Sequence, residues 1–260
     1  GSTTFTNPNS EDVYIDNSRE TYTIVGTDGG NYKDLVTTDT ATVTINDTIQ
    51  DTTVTLNNVT VDEGTGTAKI TATIDHAPTK EPLVLTLSNG ATVTFAVGAT
   101  TAESTSFNIQ GDDEYKDGES YSVKVDSYTG GKEFENLVTI DTATVTINDT
   151  IQDTTVTLNN VTVDEGTGTA KITATIDHAP TKEPLVLTLS NGATVTFAVG
   201  ATTAESTSFN IQGDDEYKDG ESYSVKVDSY TGGKEFENLV TIDTATVTIN
   251  DTIQDTTVTL

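Results

Sequence analysis

The sequence predicts an all-β protein, built as a linear array of tandem immunoglobulin-like β-sandwich domains. Three observations predict it. Apolar residues alternate strictly with Thr and Asn, a long segment repeats without a change, and turn residues recur about every ten positions.

The repetition sets the organisation. Asp51 to Gln152 returns unaltered as Asp153 to Gln254, a period of 102 residues, and a third copy starts at Asp255 and runs to Leu260. Upstream, Asp39 to Gln50 matches Asp141 to Gln152. Further upstream only Tyr14, Asp16 and the pair Gly29-Gly30 still align, with Tyr115, Asp117 and Gly130-Gly131. Solenoid units run about 20–50 residues, so this period is that of an independent domain. The expected division is the end of a preceding, divergent repeat in 1–50, full repeats in 51–152 and 153–254, and the first strand of another in 255–260. Residues 1–50 hold about three strands, half a sandwich, with its core face and edges open. Such a half is expected to be poorly ordered, to be completed by another chain, or to be the remnant of a longer stretch.

Each strand follows from the alternation. Val54, Leu56, Val59 and Val61 mark the first. Ala68, Ile70, Ala72 and Ile74, alternating with Lys69, Thr71 and Thr73, mark the second. Leu83, Leu85 and Leu87 lead into Asn89-Gly90, a two-residue hairpin signal, after which Ala91, Val93, Phe95 and Val97 return. Phe107 and Ile109, then Tyr121, Val123 and Val125, then Ala143, Val145 and Ile147 complete seven strands. Thr at the outward positions is β-branched, which suits a strand with one wet face. Seven short strands in about 100 residues fit a two-sheet sandwich. The Cys–Trp–Cys signature of antibody domains is missing, and the core is aliphatic.

Composition excludes several function classes. The net charge is -29, from 12 Lys+Arg against 41 Asp+Glu, which opposes binding to phosphate backbones or anionic membranes. With 33% hydrophobic residues in a regular pattern, the acidity does not mean disorder. Without Cys there is no disulfide, thiolate metal site or thiol nucleophile. No apolar run reaches the ~18 residues of a membrane-spanning helix. The opening Gly1-Ser2 and the lack of Met read as an excised piece of a longer chain with a cloning scar. No nucleophile elbow, phosphate-binding loop or His/Cys cluster is present, and unchanged tandem copies argue against an enzyme.

The acids concentrate in turns. If successive strands reverse direction, the turns after the first, third and fifth strands share one pole, and the last strand ends there. The first of these turns is Asp62-Glu63-Gly64, and the turn after the fifth strand runs from Asp112 to Glu119, with Asp113 and Asp117. The last strand ends in Asn148-Asp149, and the next repeat begins at Asp153. Carboxylates at 4–6 Å repel and raise one another's pKa, unless a cation neutralises them. Ca²⁺ suits such a set, taking 6–8 oxygens from carboxylates, carbonyls and Asn, whereas Mg²⁺ keeps more water. The expected ligands are Asp62, Glu63, Asp112, Asp113, Asp117, Glu119, Asp149 and Asp153. Their copies are Asp164, Glu165, Asp214, Asp215, Asp219, Glu221, Asp251 and Asp255, and Asp47 and Asp51 stand at the preceding joint. The spacing is not an EF-hand: counting Asp113 as position 1, Lys124 stands at position 12.

Other features read as structural. His76 and His178 sit in the turn after the second strand, at the opposite pole, where stacking of poles brings His178 near the preceding acidic turn. Tyr115 and Tyr121 read as packing residues. Asn58-Val59-Thr60 and Asn148-Asp149-Thr150 match the glycosylation sequon by coincidence.

Three stretches, Val59 to Asp75, Gly111 to Val125 and Thr142 to Thr150, resemble the Ig-like tandem repeats of very large bacterial surface adhesins. These are the biofilm and ice-binding adhesins of the repeats-in-toxin type, exported by type I secretion. The same stretches are more distantly similar to Calx-beta domains. The resemblance implies a non-enzymatic extender on the bacterial cell surface that projects distal ligand-binding domains, with Ca²⁺ at the junctions between repeats. It implies neighbouring repeats of the same chain as partners, a monomer, and no nucleic acid, membrane insertion or small-molecule substrate. It places the acidic ligands at Asp62, Glu63, Asp112, Asp113, Asp117, Glu119, Asp149 and their copies. The N-terminal segment keeps Asp12, Asp16 and Asp47 but lacks the Asp-Glu-Gly turn, so weaker binding is expected there. An alternative reading is a repeat that itself binds carbohydrate, ice or another cell, through rows such as Thr142, Thr144 and Thr146.

Overall fold

A computed structural model describes Thr4 and residues 11–260; the Gly1-Ser2 opening lies outside the described residues. The described chain is all-β. It divides into two compact units. One comprises Gly1–Val61, Gly66–Ile109 and Glu119–Ile147, and the other Asp62–Thr65, Gln110–Gly118 and Asn148–Leu260. The acidic turns of the first full repeat therefore belong to the same unit as the second repeat.

In the first unit, β1 (Ser18–Thr23) and β2 (Thr40–Ile45) form an antiparallel pair with Ser18 opposite Ile45. Around them Ile24, Val25, Tyr32 and Val36 are exposed. The first full repeat then runs β3 (Asp51–Leu56), β4 (Val59–Asp62), β5 (Thr67–Ala68), β6 (Thr71–Ile74), β7 (Leu83–Leu87) and β8 (Thr92–Phe95). It continues with β9 (Thr101–Glu103), β10 (Phe107–Asn108), β11 (Glu119–Thr129), β12 (Asn136–Val138) and β13 (Thr142–Asn148). One sheet has the order β4-β13-β11-β7-β8, the facing sheet β12-β3-β6-β9, and β5 pairs with β10. Val54, Ile70, Leu83, Leu85, Phe95, Val123, Ala143 and Val145 fill the space between the sheets. Period-two alternation puts these residues on the inner faces and Thr on the outer ones, as the sequence implies.

The second repeat has the same elements. They are β14 (Asp153–Leu158), β15 (Val161–Asp164), β16 (Thr169–Ala170), β17 (Thr173–Ile176), β18 (Leu185–Leu189), β19 (Thr194–Phe197) and β20 (Thr203–Glu205). They end with β21 (Phe209–Asn210), β22 (Glu221–Thr231), β23 (Asn238–Val240) and β24 (Thr244–Asn250), around a core with Leu185, Leu187, Phe197 and Val247.

The strands differ from simple alternating reversal, and the expected second strand divides at Ile70 into β5, paired with β10, and β6, in the sheet of β3. The first strand breaks at Asn57-Asn58, so that β3 joins one sheet and β4 the other. The break is held by Asn57 N–H donating to Thr71 C=O at 2.9 Å and Thr144 N–H donating to the Asn58 side chain at 2.7 Å. Because of it, β15 runs parallel to β24, and β12 and β23 run parallel to β3 and β14. The three-residue strands β9 and β12 are too short to show alternation in the sequence, and Ile109 lies beyond the end of β10.

Candidate metal centre

The centre lies wholly within the second unit and begins at the turn after β4. Glu63 N–H donates to Asn148 C=O at 3.0 Å, and Gly64 N–H to Gln110 C=O at 3.2 Å, which ties the turn to both other acidic segments. Gly64 has φ +73°, and a Cβ there would sit 2.6 Å from Asp112 Cβ. Only glycine allows this backbone to close against Asp112. The result is to bury Glu63, which is 4% exposed.

Carboxylates converge on Glu63 from three segments. Glu63, Asp149 and Glu237 place one oxygen each within 4.8 Å of one another, and so do Glu63, Asp113 and Asp117. Thr150 N–H donates to Glu63 at 2.9 Å, Asp117 N–H to Asp149 at 3.2 Å, and Tyr115 N–H to Asp113 at 2.8 Å. Gln152 N–H donates to Glu237 at 2.6 Å. These backbone donors orient the acids without neutralising them. Burial, above all, holds the Glu63 carboxyl above its ordinary range. The Glu237 and Asp149 carboxylates add to that shift, against the Thr150 hydrogen bond.

The arrangement repeats at the end of the second repeat. Glu165, Asp215 and Asp219 form a third group with the same 4.8 Å limit. Gly166 (φ +78°) approaches Asp214 as Gly64 approaches Asp112, and Thr252 N–H donates to Glu165 at 2.8 Å.

The donor chemistry fits a hard cation. Every group is oxygen-only, and the chain has no Cys. Among the described residues, Glu165 Oε2, Glu237 Oε1, Gln110 Oε1 and Gln212 Oε1 are buried without a hydrogen-bond partner. Orphaned buried acceptors cost free energy, and a divalent cation would satisfy them.

The other expected ligands have other places. Asp62 and Asp164 accept from the Asn148 and Asn250 amides at 3.2 and 3.1 Å. Asp112 accepts from the side chains of Thr150 and Gln152, and Asp214 from those of Thr252 and Gln254. Asp51 and Asp153 accept from Asn136 and Asn238 at 2.7 Å, which joins the parallel strands. Glu119 opens β11 opposite Ile147 in the first unit, and Glu221 opens β22 opposite Ile249 in the second. Asp251 accepts from Asp219 N–H at 3.1 Å, and Asp255 is exposed.

In the first unit Asp47 accepts from Asp16 N–H at 3.0 Å, and Glu135 from Gln50 N–H at 2.8 Å. Burial and the nearby Asp47 push the Asp16 carboxyl upward. None of the three acidic groups found among the described residues falls there.

Glu237 and its copy Glu135 escaped the sequence reading, because they follow β-turn glycines far from the acidic turns and carry no motif. His178 does meet the preceding acidic loop: its Nε2 lies 3.1 Å from Glu114. Among the described residues no helix is long and apolar enough to cross a membrane.

Comparison with known proteins gives one family. The family model of the LapA domain matches residues 50–150 and again 152–252. No curated protein matches the chain. Among solved structures, the full extracellular region of plexin A4, domains 1 to 8, is 8% identical with a TM-score of 0.25. That similarity covers 75% of this chain and 24% of the plexin chain, and at this TM-score it carries no argument.

Proposed function

Because this chain belongs to the LapA domain family, the repeats of large adhesins, we propose that it is an extender segment of a bacterial cell-surface adhesin, stiffened by Ca²⁺ where one repeat meets the next. The reading is structural rather than enzymatic. The extender lies outside the cell and projects distal ligand-binding domains for adhesion and biofilm formation, after export by type I secretion.

The observation that supports the cation most is the buried Glu63, surrounded by Asp113, Asp117, Asp149 and Glu237. Four of these acids come from residues 63–149 and the fifth from the second repeat. A cation held by Glu63, Asp149 and Glu237 would link consecutive repeats, while Glu63, Asp113 and Asp117 belong to one repeat alone. The orphaned oxygens Glu237 Oε1 and Gln110 Oε1 favour a ligand that supplies positive charge. A cation that binds only the folded, assembled arrangement stabilises it by mass action, about 2.7 kcal/mol at 100 times Kd.

The test is small-angle scattering and thermal unfolding, first with Ca²⁺ and then with chelator. Chelation is expected to lower the melting temperature and to change the maximum dimension, and Glu63→Gln is expected to remove most of the Ca²⁺ response. A chain whose melting temperature and dimension ignore both Ca²⁺ and chelator would overturn the cation part of the reading.

A further inference from the structure

We propose that consecutive repeats are also joined by a second device that needs no cation: a tyrosine plug on the acidic loop of one repeat, seated in a Phe–Glu–Ala socket of the next. The device stands apart from the Ca²⁺ reading.

It is seen twice, once in each unit. In the second unit Tyr115 stacks on Phe236 with ring centroids 5.6 Å apart, and its hydroxyl donates to Ala179 C=O at 2.8 Å. In the first unit Tyr14 stacks on Phe134 at 5.6 Å and donates to Ala77 C=O at 2.7 Å. The backbone joins as well. Lys116 N–H donates to Glu235 C=O at 2.7 Å and Glu237 N–H to Glu114 C=O at 3.1 Å, a short antiparallel bridge between Tyr115 and Phe236. Ile15, Glu133, Glu135 and Val13 make the same pair of bonds around Tyr14. An edge of one repeat is thus extended by the loop of another, as in strand addition.

The socket is braced from within. Glu133 and Glu235 are buried. Glu133 accepts from the N–H groups of Thr79 and Lys80, and Glu235 from those of Thr181 and Lys182. These bonds fix the loops that present the Ala77 and Ala179 carbonyls to the tyrosine hydroxyls. Phe134 and Phe236 belong to the cores of their repeats, and Tyr14 and Tyr115 pack against those cores. The Tyr–Phe pair buries apolar area and adds an aromatic contact, neither of which requires a metal. The flanking segments need not match: Val13 stands where Glu114 does, and the geometry is kept.

The third copy of the plug shows what the contact changes. The loop around Tyr217 has the same sequence as that around Tyr115, and only residues 255–260 follow its repeat in this chain. Tyr217 is 76% exposed, whereas Tyr115 is half-buried. Tyr217 and its loop therefore form a docking surface whose occupant is a further repeat carrying the same Phe–Glu–Ala socket.

The identical loops provide their own control. In chelator, Tyr115→Ala is expected to lower the unfolding midpoint of the second repeat by several degrees, on the order of the ~4–8 °C that ~1 kcal/mol makes in a domain of about 60–100 residues. Tyr217→Ala, the same change in the same local sequence, is expected to leave every midpoint unchanged. Tyr115→Phe keeps the stack, loses the hydroxyl bond, and is expected to fall between. In a chain in which the repeat that starts at Asp255 is completed, Tyr217→Ala is expected to acquire the Tyr115→Ala shift. Equal shifts at Tyr115 and Tyr217 in the present chain would overturn the plug, since the tyrosine would then serve only its own loop. No shift at Tyr115 would overturn it too, and no acquired shift in the longer chain would overturn the assigned occupant. All arms are read without Ca²⁺, so failure here leaves the cation reading standing.

Discussion

Glu63 is the residue on which the centre turns, because it is buried and shared by two acidic groups. Its ordinary value is 4.5, and its carboxyl is held above that by burial and by Glu237 and Asp149. The sign of the pH effect follows. Between the unfolded value and the raised folded one, the folded protein binds more protons than the unfolded protein, so stability falls as pH rises through that window. Below the window Glu63 is protonated in both states and the penalty disappears. In chelator, wild-type protein is therefore expected to lose stability relative to Glu63→Gln as pH rises above 4.5. Midpoints in a pH series would check this, and parallel pH profiles for the two proteins would refute it. Ca²⁺ is expected to abolish the difference by replacing the proton. That Glu63 bears an acid in a turn was legible in the sequence. That it is buried was not, since Asp62-Glu63-Gly64 reads as a wet turn until Asn148 and Gln110 close over it.

At the scale of elements, the turn after β4 works only with glycine at position 64. Its φ of +73° and the 2.6 Å approach of a Cβ to Asp112 combine strain with a clash. Gly64→Ala is expected to cost about 1–3 kcal/mol of stability and to weaken Ca²⁺ binding by displacing Glu63 from Asp113 and Asp117. Gly66→Ala makes a useful comparison: it shares a positive φ of +85° but meets nothing within 4 Å. It is expected to destabilise the fold with little effect on Ca²⁺ affinity, which a calcium titration of both variants would measure. The strands themselves were legible from alternation in Val54–Leu56, Leu83–Leu87 and Ala143–Ile147, whereas Ala68–Ile74, read as one strand, divides into β5 and β6 in different sheets. The split at Asn57-Asn58 was missed: the phase of the alternation slips between Leu56 and Val59, but which sheet each half joins is set only by the tertiary structure. The parallel β12 was hidden for another reason: three residues cannot display a period, and its place is set by Asn136 bonding to Asp51.

For the whole molecule, the groups differ in how many repeats they need. Among the described residues Glu63 serves two groups, Glu165 one, and Glu237 one. Calcium titration of the full chain is therefore expected to show Glu63→Gln losing two binding events, and Glu237→Gln or Glu165→Gln losing one each. Equal losses from all three variants would contradict that sharing. The charge of -29 takes on a pattern in this light, with 5 basic and 16 acidic residues in each repeat, several of them gathered on the three acidic segments. By itself the sequence determined the all-β sandwich, the tandem organisation and the acidic segments, because alternation, identity and turn chemistry are local signals. Only the tertiary structure decided that Glu237 joins those segments, that Asp51 and Asp153 accept from Asn136 and Asn238 between parallel strands, and that Tyr115 stacks on Phe236 of the following repeat. Each of those depends on which distant loops meet when two sheets close over a core, and no spacing along the chain encodes that meeting.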